Sequence, residues 1–327
     1  MEERTMRVGF TVPQFGPDAG PETLQEVARL AEELGSDSLW VAERLLYPVN
    51  PNSPYPATAD GSLPLAYRRS LDPLAILAYL AAATSRVRIG TFINLTLHNP
   101  VLLARELGTI DVLSHGRLDL GFGVGWSSDE FEAIGLPMRD RGRRAEEALQ
   151  VIKAIWRDNP VEFEGRYFRV PESYFDLKPV QKPRPPIYMG AYTPVTMDRV
   201  ARLADGWIPS GLPLGAMEQM FAAIKQGAAE AGRDPSDLKL TVIAHPEFHS
   251  EPLGDDRSIF AGSAEQIEED ILATRRLGAD EIIFNALFSP DIDSTDDLLS
   301  HMEQLQTMAR RSERTSSRMA SRGVVHG

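Results

Sequence analysis

The residues placed to do chemistry fall at the ends of short apolar runs. Glu43 and Arg44 follow SLWVA, and Gly121, Gly123 and Gly125 close LDLGFGVGW. An acid at such an end suits electrostatic or acid–base work; a structural ion pair with Arg44 fits the same spacing. Alternate glycines leave bare backbone for a large flat ligand, or they serve tight packing. Thr193 and Pro194 open a helix just after Gly190. Free N–H groups and the helix dipole there attract phosphate, and ordinary capping produces the same pair. His245 and His249 have a ligand-like spacing beside Glu247 and Glu251, but the expectation is that no metal is held. No Ser-His-Asp set, HExxH or GxxxxGK pattern is present.

These residues need strands to carry them. Strand-like runs cover Arg7–Val12, Ser38–Ala42, Val87–Ile93, Leu118–Phe122, Ile187–Gly190, Gly206–Pro209, Leu240–Ala244 and Glu281–Asn285. Helical patterns lie between them at Glu22–Leu34, Pro73–Ala83, Pro100–Leu113, Arg143–Trp156, Pro194–Leu203, Leu214–Ala231 and Ala264–Leu277. A last helix is expected over Asp296–Ala309. Eight strands alternating with eight helices predict an α/β (β/α)8 TIM barrel, whose active site lies where the strands exit. Asn99, Thr193 and the Ser263–Gln266 pair read as helix starts, and Gly35, Gly232 and Gly278 as helix ends. Two insertions interrupt the barrel, Leu46–Leu71 after strand 2 and Pro160–Pro186 before strand 5. The second contains a hairpin, VEFEGRYFRV. Long insertions of this kind are commonly lids or binding loops.

The bulk properties narrow the function. A chain of 327 residues could hold two domains, yet one barrel is as ordinary a solution. Residues 1–309 are read as that single barrel, and 310–327 as a disordered basic tail. A formal charge of −13 disfavours a nucleic-acid binder. The absence of cysteine excludes disulfides and thiolate chemistry. No apolar run is long enough for a membrane span, and the N-terminus passes straight into a strand, so a cytoplasmic protein is expected.

Several segments together resemble the luciferase-like flavin and deazaflavin oxidoreductases, most closely the branch that uses coenzyme F420. They are SDSLWVAERLLYP, RIGTFINLTLHNPVLLARELGTIDVLSHGRLDLGFGVGWSSDEFEAIGLP, RGRRAEEALQVIKAIW, LKPVQKPRPPIYMG and RVARLADGWIPS. The resemblance implies a flavin-type ring across the strand exits. Thr91, Phe92 and Ile93 would form a bulge, often with a non-proline cis peptide, behind the ring. Glu43 would lie near the ring, and Gly123, Val124 and Gly125 would line it. Gly190, Ala191, Tyr192 and Thr193 would form the phosphate turn. Sugar-phosphate dehydrogenases of the group carry a catalytic histidine where this chain has Arg44, which stays protonated and cannot be a general base.

The implied reaction is hydride transfer between F420 and a small imine, enone or carbonyl. Glu43 and Arg44 would order the ring and polarise the substrate, with His98 or Tyr55 as proton donor. The alternatives are an FMN-dependent monooxygenase using oxygen and a non-catalytic flavin-binding barrel. Lys178, Lys182, Arg184 and Arg199 are candidates for the acidic tail of F420. The family also implies a homodimer, with Pro100–Leu113 near the interface.

Overall fold

The computed structural model describes residues 5–323 except 59, 288 and 291, with side chains to residue 316. In chain order the strands are β1 (Arg7–Thr11), β2 (Ser38–Ala42), β3 (Arg88–Asn94), β4 (Leu118–Gly123), β5 (Val161–Glu164), β6 (Arg169–Ser173), β7 (Ile187–Met189), β8 (Gly206–Trp207), β9 (Lys239–Ala244), β10 (Glu247–Phe248), β11 (Ala261–Gly262) and β12 (Glu281–Phe284). The helices are α1 (Pro21–Leu34), α2 (Pro73–Ala83), α3 (Pro100–Leu113), α4 (Ser128–Ala133), α5 (Arg141–Arg157), α6 (Pro194–Leu203), α7 (Leu214–Glu230), α8 (Ala264–Arg276) and α9 (Thr295–Gly323). Eight strands close a barrel in the order β1-β12-β9-β8-β7-β4-β3-β2, the expected (β/α)8 architecture. The antiparallel pair β5–β6 forms the foreseen hairpin before β7. The short pair β10–β11 was not foreseen.

Capping chemistry sets the helix starts. Asn99 accepts from the N–H groups of Val101 and Leu102 ahead of α3, with Pro100 in the first turn. Asp72 does the same for α2 through Ala75. Thr193 with Thr196 and Ser263 with Gln266 each make a reciprocal capping box.

The chain divides into two compact units. One comprises Pro13–Leu24 and Val41–Tyr188. Its β3 and β4 pair in unbroken parallel register from Ile89↔Leu118 to Asn94↔Gly123. Leu77, Leu80, Leu103, Leu107, Leu149 and Ile152 are buried in it. The insertion after β2 is tied to the start of α4. Asn52 donates from its backbone N–H (3.0 Å) and side-chain amide (2.8 Å) to Asp129, and the hydroxyls of Ser53 and Ser128 lie 2.8 Å apart. The hairpin is tied to α5, where Glu147 accepts N–H bonds from Tyr167 and Phe168 at 2.7 and 2.8 Å.

The other unit comprises Met1–Val12, Gln25–Trp40 and Met189–Gly327. Buried Glu281 accepts from Arg7 at 2.6 Å and from the Ser38 hydroxyl, which in turn accepts from Trp40 Nε1 at 2.8 Å. One polar knot therefore joins β1, β2 and β12. Helix α9 runs on to Gly323 instead of stopping near Ala309, a correction to the expected tail. Its extension has partners: Ser312 is buried, Arg310 donates to the Leu34 carbonyl, and Arg311 lies 3.7 Å from Glu268. Positions 324–327 of the expected tail lie outside the described residues.

Candidate active site

Glu43 is the first residue beyond β2, and two neighbours fix where that strand ends. The Gln14 amide accepts from Ala42 N–H at 2.7 Å and donates to the Ala42 carbonyl, so the exit is clamped on both sides. The Glu43 carboxylate then bridges to the exit of β3. One oxygen accepts from Asn94 N–H at 2.7 Å, and the other lies 2.7 Å from His98 Nε2. His98 follows a short 3-10 turn, Leu95–Leu97, just before capped α3. Burial disfavours its charged form, but the bond to Glu43 and the charges of Glu43, Glu106 and Asp72 outweigh that and raise its pKa above 6.5.

Arg44 points elsewhere. Its guanidinium meets Glu130 of α4 at 2.6 Å, and both side chains are almost fully buried. It lies 4.9 Å from the centre of the Trp126 ring and 5.9 Å from that of Tyr67. Tyr55, from the insertion, meets the Tyr67 hydroxyl at 2.8 Å and packs 5.4 Å from Trp126. Glu43 and Arg44 are therefore not an ion pair with each other; each has its own partner on a different element. Burial raises the pKa of Glu130, and Arg44 opposes that shift. Arg44 Nε and Glu130 Oε2 are buried without hydrogen-bond partners. Glu130 escaped the sequence reading because the six-residue α4 was not recognised.

The glycines at the end of β4 answer mainly to packing. A Cβ on Gly121 would lie 2.5 Å from the Thr91 carbonyl and 2.9 Å from the Phe92 ring. Gly125 has φ +80°, and a Cβ there would lie 2.8 Å from the Phe131 ring. A Cβ on Gly123 would lie 3.0 Å from Asn94 Oδ1. Ligand approach is not needed to explain any of the three. Thr91 and Ile93 are fully buried, while Phe92, Gly123, Val124 and Gly125 keep partial exposure. Gly190 differs: the nearest atom to a Cβ there is 3.9 Å away. Ala191 is buried, and Tyr192 and Thr193 are exposed.

The chain matches the luciferase-like monooxygenase family over residues 6–252. It belongs to that family. An uncharacterized protein of Mycobacterium tuberculosis is 36% identical over 225 residues, 67% of this chain and 79% of that protein. An F420-dependent glucose-6-phosphate dehydrogenase of Kineococcus radiotolerans is 31% identical over 257 residues, 76% of this chain and 69% of that enzyme. The structure of monooxygenase RslO1 from Streptomyces bottropensis superposes with a TM-score of 0.75 at 22% identity, covering 93% of this chain and 98% of that one. This last likeness shows the fold alone.

Against the expectations drawn from the luciferase-like family, two features differ. The cis peptides among the described residues are Asn159–Pro160 and Lys182–Pro183, not at Thr91–Ile93. Continuous pairing of β3 with β4 leaves no bulge on that side. The turn before α6 also satisfies itself: Thr196 Oγ1 accepts from the N–H groups of Tyr192 at 3.0 Å and Thr193 at 2.9 Å. Those two donors are not free for phosphate. The basic candidates are committed too. Lys178 donates to the Ile155 and Asp158 carbonyls at the end of α5, Lys182 to Pro179, and Arg184 to Pro185. Arg199 is buried in α6.

In the second unit, the Ser210 hydroxyl lies 2.7 Å from His245 Nε2. His245 has accessible surface, yet desolvation pushes its pKa down to about 4, so it is neutral near pH 7. His249 lies 3.0 Å from Glu247. Among the described residues no group of three His, Cys, Asp or Glu could hold a metal, and no helix is long and apolar enough to cross a membrane.

Proposed function

We propose that this member of the luciferase-like family is an F420-dependent oxidoreductase acting on a small organic substrate, an imine, enone or carbonyl. The observation that carries the reading is the 31% identity to an F420-dependent dehydrogenase across three quarters of the chain. The chemistry beyond β2 supports it: Glu43 is held by Asn94 and His98, and Arg44 is sequestered by Glu130. A bound deazaflavin would supply hydride chemistry. Phe92, Gly123, Val124 and Gly125 keep exposed surface where a ring could rest, and the partnerless Thr91 hydroxyl lies in the strand behind them. Gly190–Thr193 is proposed separately as a phosphate-binding turn, through the Tyr192 and Thr193 side chains. Glu43 and His98 handle charge and protons. Arg44 acts through Glu130 and Trp126 as a positioning residue.

The test is a side-by-side binding titration of the purified chain with FMN and with F420, followed by a panel of enones, imines and carbonyls with the reduced deazaflavin. F420 binding tighter than FMN, with oxidation of the reduced deazaflavin by one acceptor class, is the expected result. Tight FMN binding without F420 affinity would favour the oxygen-using monooxygenase alternative. Glu43→Gln is expected to lower turnover by about a hundredfold or more, a larger effect than its effect on folding read from the thermal midpoint; unchanged turnover would leave Glu43 a structural residue.

A further inference from the structure

The His98 ring has two sides. Nε2 meets Glu43 at 2.7 Å, while the ring also lines a groove of about 470 Å³ between α2 and α3. Asp72, Ala75, Arg105, Glu106 and Thr109 line the same groove. The charged groups around the ring are therefore Glu43 from the β2 exit, Asp72 from the cap of α2, and Arg105 and Glu106 from α3. Three carboxylates face it against one guanidinium, which favours imidazolium. Glu43 has both oxygens engaged and cannot swing away without losing Asn94 N–H.

We propose that the His98–Glu43 pair stores the proton that completes the reduction and is reloaded from the α2–α3 groove. The inference rests on the hydride-transfer reading above. A substrate that gains a hydride at carbon needs one proton at its oxygen or nitrogen. That proton passes from His98 Nε2 to Glu43 Oε1 and then to the substrate. The ion pair becomes a neutral ring beside an ionised carboxylate, and the ring takes its next proton from water in the groove. Hydride from the reduced deazaflavin and proton from the pair together make the two-electron reduction.

Two measurements test this. The first is ¹⁵N-histidine NMR of the cofactor-free chain, with His98 assigned by the resonance missing in His98→Gln. Its titration is expected above the ordinary midpoint of about 6.5. It should move down in Glu43→Gln and, by less, in Glu106→Gln. A midpoint at or below 6.5, or one indifferent to Glu106→Gln, overturns the store. The second uses reduced deazaflavin with an acceptor that the wild-type chain reduces. His98→Ala should lower turnover about a hundredfold, and imidazole in the buffer should restore about tenfold by filling the space the ring leaves. Lost turnover without rescue, in a variant that still binds deazaflavin, overturns the store and leaves hydride transfer standing. A wild-type chain that reduces no acceptor overturns hydride transfer, and the store fails with it whatever the titration shows.

Discussion

At the scale of single residues, Arg44 and Glu130 decide most. A buried pair is costly to split, because the remaining charge has neither water nor partner. Arg44→Met alone and Glu130→Leu alone are each expected to destabilise by about 3–5 kcal/mol. The double variant should lose much less, since no orphaned charge remains. Denaturant unfolding of the three variants checks this; a double loss equal to the sum of the two single losses would mean the pair is not coupled. His98 makes a pH-dependent contribution whose sign follows from its raised folded-state pKa. That contribution is complete below the unfolded value of about 6.5 and disappears as pH rises through the folded value. Wild-type stability relative to His98→Gln should therefore fall between mildly acidic and alkaline pH. A constant difference would show that folding leaves the His98 pKa unshifted.

At the scale of elements, the end of β4 and the start of α6 use glycine for different reasons. Gly121→Ala should cost about 1–3 kcal/mol, because its new methyl would meet the backbone of β3 and neither strand can shift without losing register. Gly190→Ala should change stability by less than about 0.5 kcal/mol, because the new methyl would make only ordinary contacts, the nearest at 3.9 Å. If Gly190 faces a ligand, the same variant weakens FMN or F420 binding in titration. Unchanged affinity would remove it from the site. The caps are simpler: Asn99→Ala should cost about 1 kcal/mol by freeing two N–H groups of α3, read by thermal or denaturant unfolding.

At the scale of the whole molecule, the barrel order places every strand of the sheet between two neighbours, so it has no edge strand to pair with another chain. The long α9 belongs to the same ledger of packing. Truncation after Ala309 removes buried Ser312 and the Arg310 and Arg311 contacts. It should lower Tm by about 2–4 °C for each kcal/mol of packing lost. An unchanged Tm would show that the extension adds nothing to the fold.

The sequence by itself determined the main alternation of barrel strands and helices and where several of them begin and end. The patterns for Ser38–Ala42, Pro73–Ala83, Pro100–Leu113 and Pro194–Leu203 match the observed spans. These are local matters of periodicity, caps and prolines, settled between residues a few positions apart. The partners of the charged groups were not legible in that way. Glu43 and Arg44 are adjacent in the chain, yet one reaches His98, 55 positions away, and the other reaches Glu130 on a helix too short to show a period. Likewise Gly121 and Gly190 look alike in sequence, and only the atoms packed around them separate a glycine that excludes a Cβ from one that would admit it. A residue's type and spacing limit what it could do. Which neighbour comes within hydrogen-bond reach is fixed when distant strands and helices pack, and tertiary structure alone decided that.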